Sequence, residues 1–304
     1  MSGILIFIMI LLYSFQTLFC KQFSDAYPDG PDRASQVFCF LEAFFIALVT
    51  FIFNGFRFHL STPTLLLGLL NALMLFTYNT SLIKASSRGS YAFMNMVLLF
   101  GGILVPMVYS TLILHEPLTW YKYLAVPLML IAFVLMNLKG IDLKGSGIWY
   151  YIFCGLLFLS NGIYCTLLKV QAVIAPAESR EMVMLTFLLM CIPAAIGLFG
   201  KKKNGSDQPD QAATLHSTGK AKVFHFDRKS MIWLVLSLLS AALAVNVLVL
   251  CLPLVNTVIL YTVECGGALV LASLYSYFIF KEKFDTAKII GIVLAVISIT
   301  ALSI

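Results

Sequence analysis

Charged side chains are scarce in this sequence. Lys, Arg, Asp and Glu together make up 11% of the 304 residues, whereas a soluble domain typically carries about 25%. Hydrophobic residues make up 61%, and the mean hydropathy is +0.96. A chain of this composition could not cover a water-facing surface with polar groups. It therefore predicts a polytopic protein of the cell membrane, with the lipid bilayer as its first partner.

The patterns that would support other classes of protein are also missing. The seven cysteines form no CxxC pair, which argues against a disulfide framework or a zinc site. His115-Glu116 begins like a zinc-protease motif, but the second histidine is absent. No phosphate-binding loop is present, and the basic residues fall between apolar runs, so neither an ATP-driven pump nor a nucleic-acid partner is indicated. We therefore expect no enzyme activity, no cofactor and no metal.

Apolar runs long enough to cross a bilayer, about 20 residues, recur along the whole chain. The first lacks a positively charged start and a cleavage site of small residues, so we interpret it as an uncleaved span. A polar segment at 200–230 predicts an extramembrane loop. The sequence predicts an all-α integral membrane protein with ten spans at about 2–20, 35–54, 63–84, 90–114, 119–138, 147–169, 181–199, 231–252, 255–280 and 285–303.

The two halves of the chain resemble each other weakly. Residues 90–126 align with 256–292 without a gap. Gly101 matches Gly267 and Ser110 matches Ser276; outside the apolar runs, the charged pairs Glu116 with Glu282 and Lys122 with Lys288 also match. The alternative is that any two apolar spans align somewhere. We interpret the match as two five-helix repeats, 1–139 and 140–304. Because five is odd, the second repeat enters the membrane inverted, around a central cavity.

The chain resembles the drug/metabolite transporter superfamily, in particular its EamA-like ten-helix members. The resemblance is carried by "LILHEPLTWYKYLAVPLMLIAFVL" and "FIFKEKFDTAKIIGIVLAVISI", which are similar to the family signature L-G-E-x-L-T…G…L-I…G. His115 and Lys281 replace the glycine before the glutamate, and Ala125 replaces a later glycine that is kept as Gly291. The resemblance implies alternating access and small organic cargo such as amino acids, metabolites or drugs.

Glu264 lies in a nearly continuous apolar run, where a carboxylate costs at least about 2.5–3.5 kcal/mol to insert. Desolvation disfavours its charged form, so it can exchange a proton for cationic cargo. Thr257 and Tyr261 fall on the same helical face, which Gly267 continues. The alternative is a carboxyl group that only bonds a neighbouring helix.

Glu42 is a second acid within a span, although the resemblance implies a peripheral position for that helix. Other polar residues inside spans are candidates for contacting cargo or ordered water; the alternative is hydrogen bonding between helices. Glycines and a proline are candidates for close packing or bending. The polar candidates are Gln16, Asn71, Tyr91, Asn95, Asn161, Tyr164 and Asn246, and the packing or hinge candidates are Gly101, Gly102, Pro106, Gly266 and Gly267.

Most of the 20 Lys and Arg residues lie in the joints after spans one, three, five, seven and nine. The positive-inside rule then places both termini outside, whereas the resembled family usually keeps both in the cytoplasm. We expect an ion-coupled exporter of small organic molecules, using protons or another ion. The alternatives are a non-transporting scaffold or receptor, and a membrane-embedded enzyme. A cavity lined by Glu264, Tyr261 and Asn95 would favour transport, and a sealed apolar bundle would favour the scaffold.

Overall fold

The computed structural model describes residues 2–29, 31–86, 88, 91–115, 119–138, 147–199, 226–278 and 285–303. These residues form ten α-helices and no strand, which confirms the all-α fold class for this part of the chain. A single-turn 3₁₀ helix, Pro176–Glu178, joins α6 to α7. The helices are α1 (Ser2–Ala26), α2 (Pro31–Phe53), α3 (Thr62–Ser86), α4 (Tyr91–Leu112), α5 (Trp120–Asn137), α6 (Ile148–Ile174), α7 (Ser179–Phe199), α8 (Arg228–Cys251), α9 (Thr257–Phe278) and α10 (Thr286–Ser303).

Six of the helices, α1, α2, α3, α6, α7 and α8, are long and apolar enough to cross a membrane. The other four contain shorter described apolar segments. Each helix overlaps one predicted span, but α6 continues to Ile174, past the predicted end at Lys169. Most of the predicted loop at 200–230 lies outside the described residues.

The surface of the bundle is apolar where the helices face outward. Large side chains on several helices are more than half exposed, including Ile4, Leu66, Ile196 and Phe278. A soluble monomer rarely exposes apolar surface on this scale. The outward faces of these helices therefore match a lipid environment.

Helix packing follows a regular scheme. α1 packs on α8 and α9, α3 and α4 pack on α6, α2 pairs with α7, and α5 pairs with α10. Moving each label by five helices converts the α1–α8 pair into α6–α3 and the α1–α9 pair into α6–α4. The α2–α7 and α5–α10 pairs convert into themselves. The packing is thus the same when the two halves are exchanged.

Polar contacts tie the helices together at one end of the bundle, where α2 meets α3, α6 meets α7 and α8 meets α9. Ser61 donates to the Glu178 carboxylate from its amide (3.0 Å) and its hydroxyl (2.7 Å). Asn54 donates to Glu181 at 2.8 Å, and Arg180 donates to the Phe53 carbonyl at 3.2 Å. We call this the tied end. The other end, where α1 meets α2 and α3 meets α4, is called the basic end, after the described residues Lys84, Arg88, Arg228 and Lys229 near it.

The apolar core of the described residues consists of several clusters. One large cluster joins α1, α2, α6, α7, α8 and α9, and includes Met9, Leu168, Met182, Val249 and Leu260. Towards the basic end, α1, α2, α7 and α8 share one cluster, around Phe23 and Phe38. α3, α4 and α6 share a separate one, around Met94 and Tyr150.

Candidate binding site

A polar cavity of about 390 Å³ lies near the middle of the bundle. Eight helices line it, α1–α4 and α6–α9, so both halves of the chain contribute to its wall. Its volume falls within the range of about 300–1,000 Å³ that is typical of small-molecule sites. The polar or titratable lining side chains are Tyr13, Gln16, Thr17, Cys39, Glu42, Tyr78, Asn79, Asn161, Tyr164, Cys165, Tyr261, Glu264 and Cys265.

Glu42 reaches this cavity from α2. The Gln16 side-chain amide on α1 donates a hydrogen bond of 2.6 Å to its carboxylate. The Gln16 backbone carbonyl in turn accepts a hydrogen bond from Ser237 on α8, at 3.0 Å. α1 is thereby held against both α2 and α8, and one carboxylate has a fixed orientation. The family resemblance implies a peripheral second helix, yet Glu42 on α2 lines the cavity.

Glu264 reaches the cavity from α9. Among the described residues, none donates a hydrogen bond to its carboxylate. Tyr13 on α1 and Tyr164 on α6 line the same cavity as Glu264 and Glu42. The two carboxylates therefore act on the same region of the cavity, one held by an amide and the other open to an occupant.

Tyr261 lies one helical turn before Glu264 on the cavity wall, and only 2% of its surface is exposed. Its hydroxyl donates a hydrogen bond of 2.8 Å to the Cys165 carbonyl on α6. Asn161 donates from its amide to the Leu98 carbonyl on α4, at 2.9 Å. Both side chains line the cavity and also bind neighbouring helices, so they set its shape as well as its polarity.

Three predicted site residues lie outside the described lining. Asn71 on α3 is fully buried and donates to Thr186 on α7 at 3.3 Å. Asn246 on α8 donates to Thr50 on α2 at 3.1 Å. Thr257 is fully buried at the start of α9. The two asparagines therefore form hydrogen bonds between helices, which was the alternative to a role in the cavity. Tyr91 and Asn95 lie in α4, but their side chains are outside the part of the chain that the structure describes.

Four of the predicted packing residues lie at helix crossings. A Cβ on Gly101 would overlap the Phe158 carbonyl oxygen on α6, and one on Gly102 would lie 2.8 Å from the Asn161 amide. A Cβ on Gly266 would overlap the end of Met129 on α5, and one on Gly267 would lie 2.8 Å from Ile10 on α1. A small residue is therefore needed at Gly101, whose neighbouring atoms are backbone atoms of α6; at the other three glycines the neighbours are side-chain atoms, which can shift. Pro106 lies inside α4, which continues through it to Leu112.

Sequence reasoning missed Lys169, which it took only as the end of the sixth span, 147–169. The side chain is 5% exposed, and its ammonium donates to the Leu252 carbonyl at 3.0 Å and the Val255 carbonyl at 3.3 Å. These carbonyls lie at the C-terminal end of α8 and in the turn after it, where a helix carries partial negative charge. The signal available in the sequence was the position of Lys169 directly beside an apolar run.

We expect Lys169→Met to lower the free energy of unfolding by about 1.5–3 kcal/mol, because buried carbonyls lose a charged donor. Lys229→Met provides the matched control, since Lys229 lies exposed in the first turn of α8. That control should change stability by less than about 0.5 kcal/mol. Thermal unfolding in detergent measures both, and equal stabilities would contradict the assigned role of the ammonium.

Two further grooves, of about 330 and 430 Å³, lie on the surface of the bundle. The first lies between α2 and α7 and includes Phe44, Leu48 and Leu188; the second lies between α4 and α6 and includes Val108 and Phe158. Their walls are almost entirely apolar. They suit lipid chains and offer no group that would select a polar cargo.

No family model matches this sequence, and no curated protein matches it as a relative. One solved structure, described only as "Crystal structure of protein", superposes with a TM-score of 0.71. The superposition covers 99% of this chain and 95% of that chain, at 14% sequence identity. At this identity the likeness shows that the two chains share a fold, and nothing about what either of them binds.

Proposed function

We propose that this protein is a secondary transporter that moves small organic molecules across the cell membrane by alternating access. The observation that carries the proposal is the polar cavity with two carboxylates in the middle of an otherwise apolar bundle. Side chains of this kind inside a membrane mark substrate or ion pathways. A scaffold or receptor would not need the cavity, and a sealed apolar bundle would be more stable.

The proposal includes ten membrane spans arranged as two inverted five-helix repeats, in the manner of EamA-like drug/metabolite transporters. The exchange-symmetric packing of α1–α5 and α6–α10 supports it. Such repeats place a binding site near the bilayer midplane between the halves and alternate its access by rocking one half against the other. The cavity receives helices from both halves, as this arrangement requires.

In the proposed cycle this state is closed at the tied end, where the Ser61–Glu178 and Asn54–Glu181 contacts join the helices. It admits cargo from the basic end, where the described clusters around Phe23 and Met94 are separate. Under the positive-inside rule the basic end faces the cytoplasm, so this state would accept cargo from inside the cell. Export then follows when the tied end separates.

Proton coupling is proposed at Glu264. In the open state the carboxyl group releases one proton to water as one cationic cargo molecule enters. After the tied end opens, the cargo leaves and the carboxylate takes up one proton from that side. Each cycle therefore exchanges one proton for one cation. Its neighbours in the site are Glu42 on α2, Tyr13 on α1, Tyr164 and Cys165 on α6, and Tyr261 and Cys265 on α9.

Thiol labelling tests alternating access without knowledge of the cargo. In a variant that keeps only Cys39, which lines the cavity, we expect a membrane-impermeant maleimide to react faster from the basic end than from the tied end. Slower reaction from the tied end should also be measurable. A variant that keeps only Cys154, 3% exposed in the α3–α4–α6 cluster, is the control and should not react. A Cys39 thiol unreactive from both sides would instead support the sealed scaffold.

Loss of a tied-end contact should increase labelling from the tied end relative to the basic end. Glu178→Ala removes the acceptor of both Ser61 hydrogen bonds, and we expect labelling of a lone Cys165 from the tied end to rise about two- to fivefold. The effect is modest because these bonds are partly solvated and worth about 0.5–1 kcal/mol together. Glu178→Gln keeps an acceptor oxygen, so its labelling rate should lie between those of wild type and Glu178→Ala. Unchanged labelling in Glu178→Ala would show that the contact does not hold this end closed.

A further inference from the structure

The charges around the cavity do not balance. Glu42 and Glu264 both line it, and the described lining contains no Lys, Arg or His. Lys169, the buried cation on α6, directs its ammonium to the Leu252 and Val255 carbonyls and is not among the lining residues. Two carboxylates in a low-dielectric site need either protons or a cation between them. An anionic occupant would add to the imbalance.

The two carboxylates are held differently. Glu42 is oriented by the side-chain amide of Gln16, and the backbone carbonyl of Gln16 accepts a hydrogen bond from Ser237 on α8. Glu264 lines the same cavity with no hydrogen bond from any other described residue. The first can therefore act as a preorganised acceptor, whereas the second keeps its full capacity for an occupant. Tyr13 and Tyr164 line the cavity together with both carboxylates, which therefore border one shared volume.

The rest of the wall suits an organic cation better than a hydrated metal ion. Tyr13, Tyr78, Tyr164 and Tyr261 all line the cavity, together with apolar side chains such as Leu168 and Phe187. Aromatic rings attract cations through their faces, and apolar walls need an occupant with carbon atoms. A cavity of about 390 Å³ is much larger than a single inorganic ion requires.

We infer that the cargo is a small organic cation, bound between the Gln16-oriented carboxylate of Glu42 and the open carboxylate of Glu264, an assignment that rests on the transport function proposed above. The positive centre lies between the two acids, and the carbon skeleton contacts the tyrosines and apolar side chains. Glu42 contributes to recognition, and Glu264 contributes to recognition and to exchange.

The test uses three probes with one phenylethyl skeleton and different charge: phenethylammonium, 2-phenylethanol and 3-phenylpropanoate. Calorimetry and thermal unfolding of the purified full chain measure their binding. We expect binding of the cation only, with the dissociation constant raised at least tenfold by Glu42→Gln and by Glu264→Gln. Asp25→Asn is the matched control, because it makes the same carboxylate-to-amide change on α1, at an exposed residue outside the cavity lining. It should leave the affinity unchanged.

Several results would overturn the inference. Equal or tighter binding of the alcohol or the carboxylate would exclude a cation-selective site, as would failure of all three probes to bind at millimolar concentration. Stabilisation by NaCl over an equal concentration of KCl, without the organic cation, would assign the carboxylates to an inorganic ion. Unchanged affinity in both glutamine variants would place the cation elsewhere. The Cys39 labelling experiment needs no ligand, so it still decides on alternating access if the cation assignment fails.

Discussion

Transport of an organic cation is expected to fall about 10–100-fold when Glu264 is replaced by glutamine. The substitution keeps the size and a hydrogen-bonding group, but it removes the charge and the proton that the carboxyl group exchanges. A hydrogen bond to a charged group is worth about 1.5–3 kcal/mol, which corresponds to this range of rates. In an exchange mechanism the loss also removes the coupling, because no group at this position can then alternate between proton and cargo.

Proteoliposomes measure the effect. Radiolabelled phenethyltrimethylammonium is a suitable substrate, since its permanent charge prevents it from crossing lipid unaided. An acid interior should drive its accumulation in wild-type vesicles, because each proton that leaves allows one cation to enter. Glu264→Gln should show neither accumulation nor dependence on the pH gradient. Glu42→Gln should keep the gradient dependence and need a higher substrate concentration.

The control is again Asp25→Asn, which makes the same carboxylate-to-amide change at an exposed residue outside the cavity lining. Its transport should stay within about twofold of wild type, because surface substitutions away from a site have small effects. A Glu264→Gln variant that accumulates the cation with an unchanged pH dependence would return Glu264 to a structural role and remove the proposed coupling site.

Gly101→Ala is expected to be the most destabilising small substitution in the bundle. The new methyl group would overlap the Phe158 carbonyl oxygen and lie 2.8 Å from the Phe158 carbonyl carbon and Cα. These are backbone atoms of α6, so they cannot move without shifting the helix. Gly162 makes the crossing tighter still, because a Cβ there would lie 2.6 Å from the Gly101 carbonyl oxygen. Overpacking of this kind costs about 1–3 kcal/mol.

Thermal unfolding of the purified protein should show a fall in midpoint of roughly 5 °C for Gly101→Ala. Gly155→Ala is the matched control on the partner helix α6. A Cβ on Gly155 would meet no atom within 4 Å, and alanine favours a helix over glycine by about 0.5–1 kcal/mol. The control should therefore be neutral or slightly stabilising. Equal unfolding midpoints for the two variants would contradict a close backbone contact between Gly101 on α4 and Phe158 on α6.

Much of the fold could be predicted from the lengths of the apolar runs. Crossing hydrocarbon requires a minimum length and leaves only a helix able to satisfy its own backbone, so the helix positions follow from local sequence. The same reasoning singled out Glu264, because an acid in such a run is conspicuous without any tertiary information. Gln16, Asn161, Tyr164 and Tyr261 were also proposed in this way and do line the cavity.

Which side of each helix faces the cavity could not be predicted. A membrane helix is apolar towards lipid and apolar towards its neighbours, so hydrophobic periodicity gives little direction. Asn71 and Asn246 therefore looked equivalent to Asn161, yet they bind Thr186 and Thr50 between helices. Lys169 looked like the end of a span, although it is buried and donates to the Leu252 carbonyl at the end of α8.

The sequence by itself determined that this chain is a bundle of membrane helices with an acid in the middle of one of them. Only the tertiary structure decided that Glu42 shares a cavity with Glu264, that Gln16 orients one of the two carboxylates, and that one end of the bundle is tied by polar contacts. The reason is physical: run length and hydrophobicity act along the chain, whereas the meeting of α1, α2 and α9 depends on packing between segments far apart in sequence.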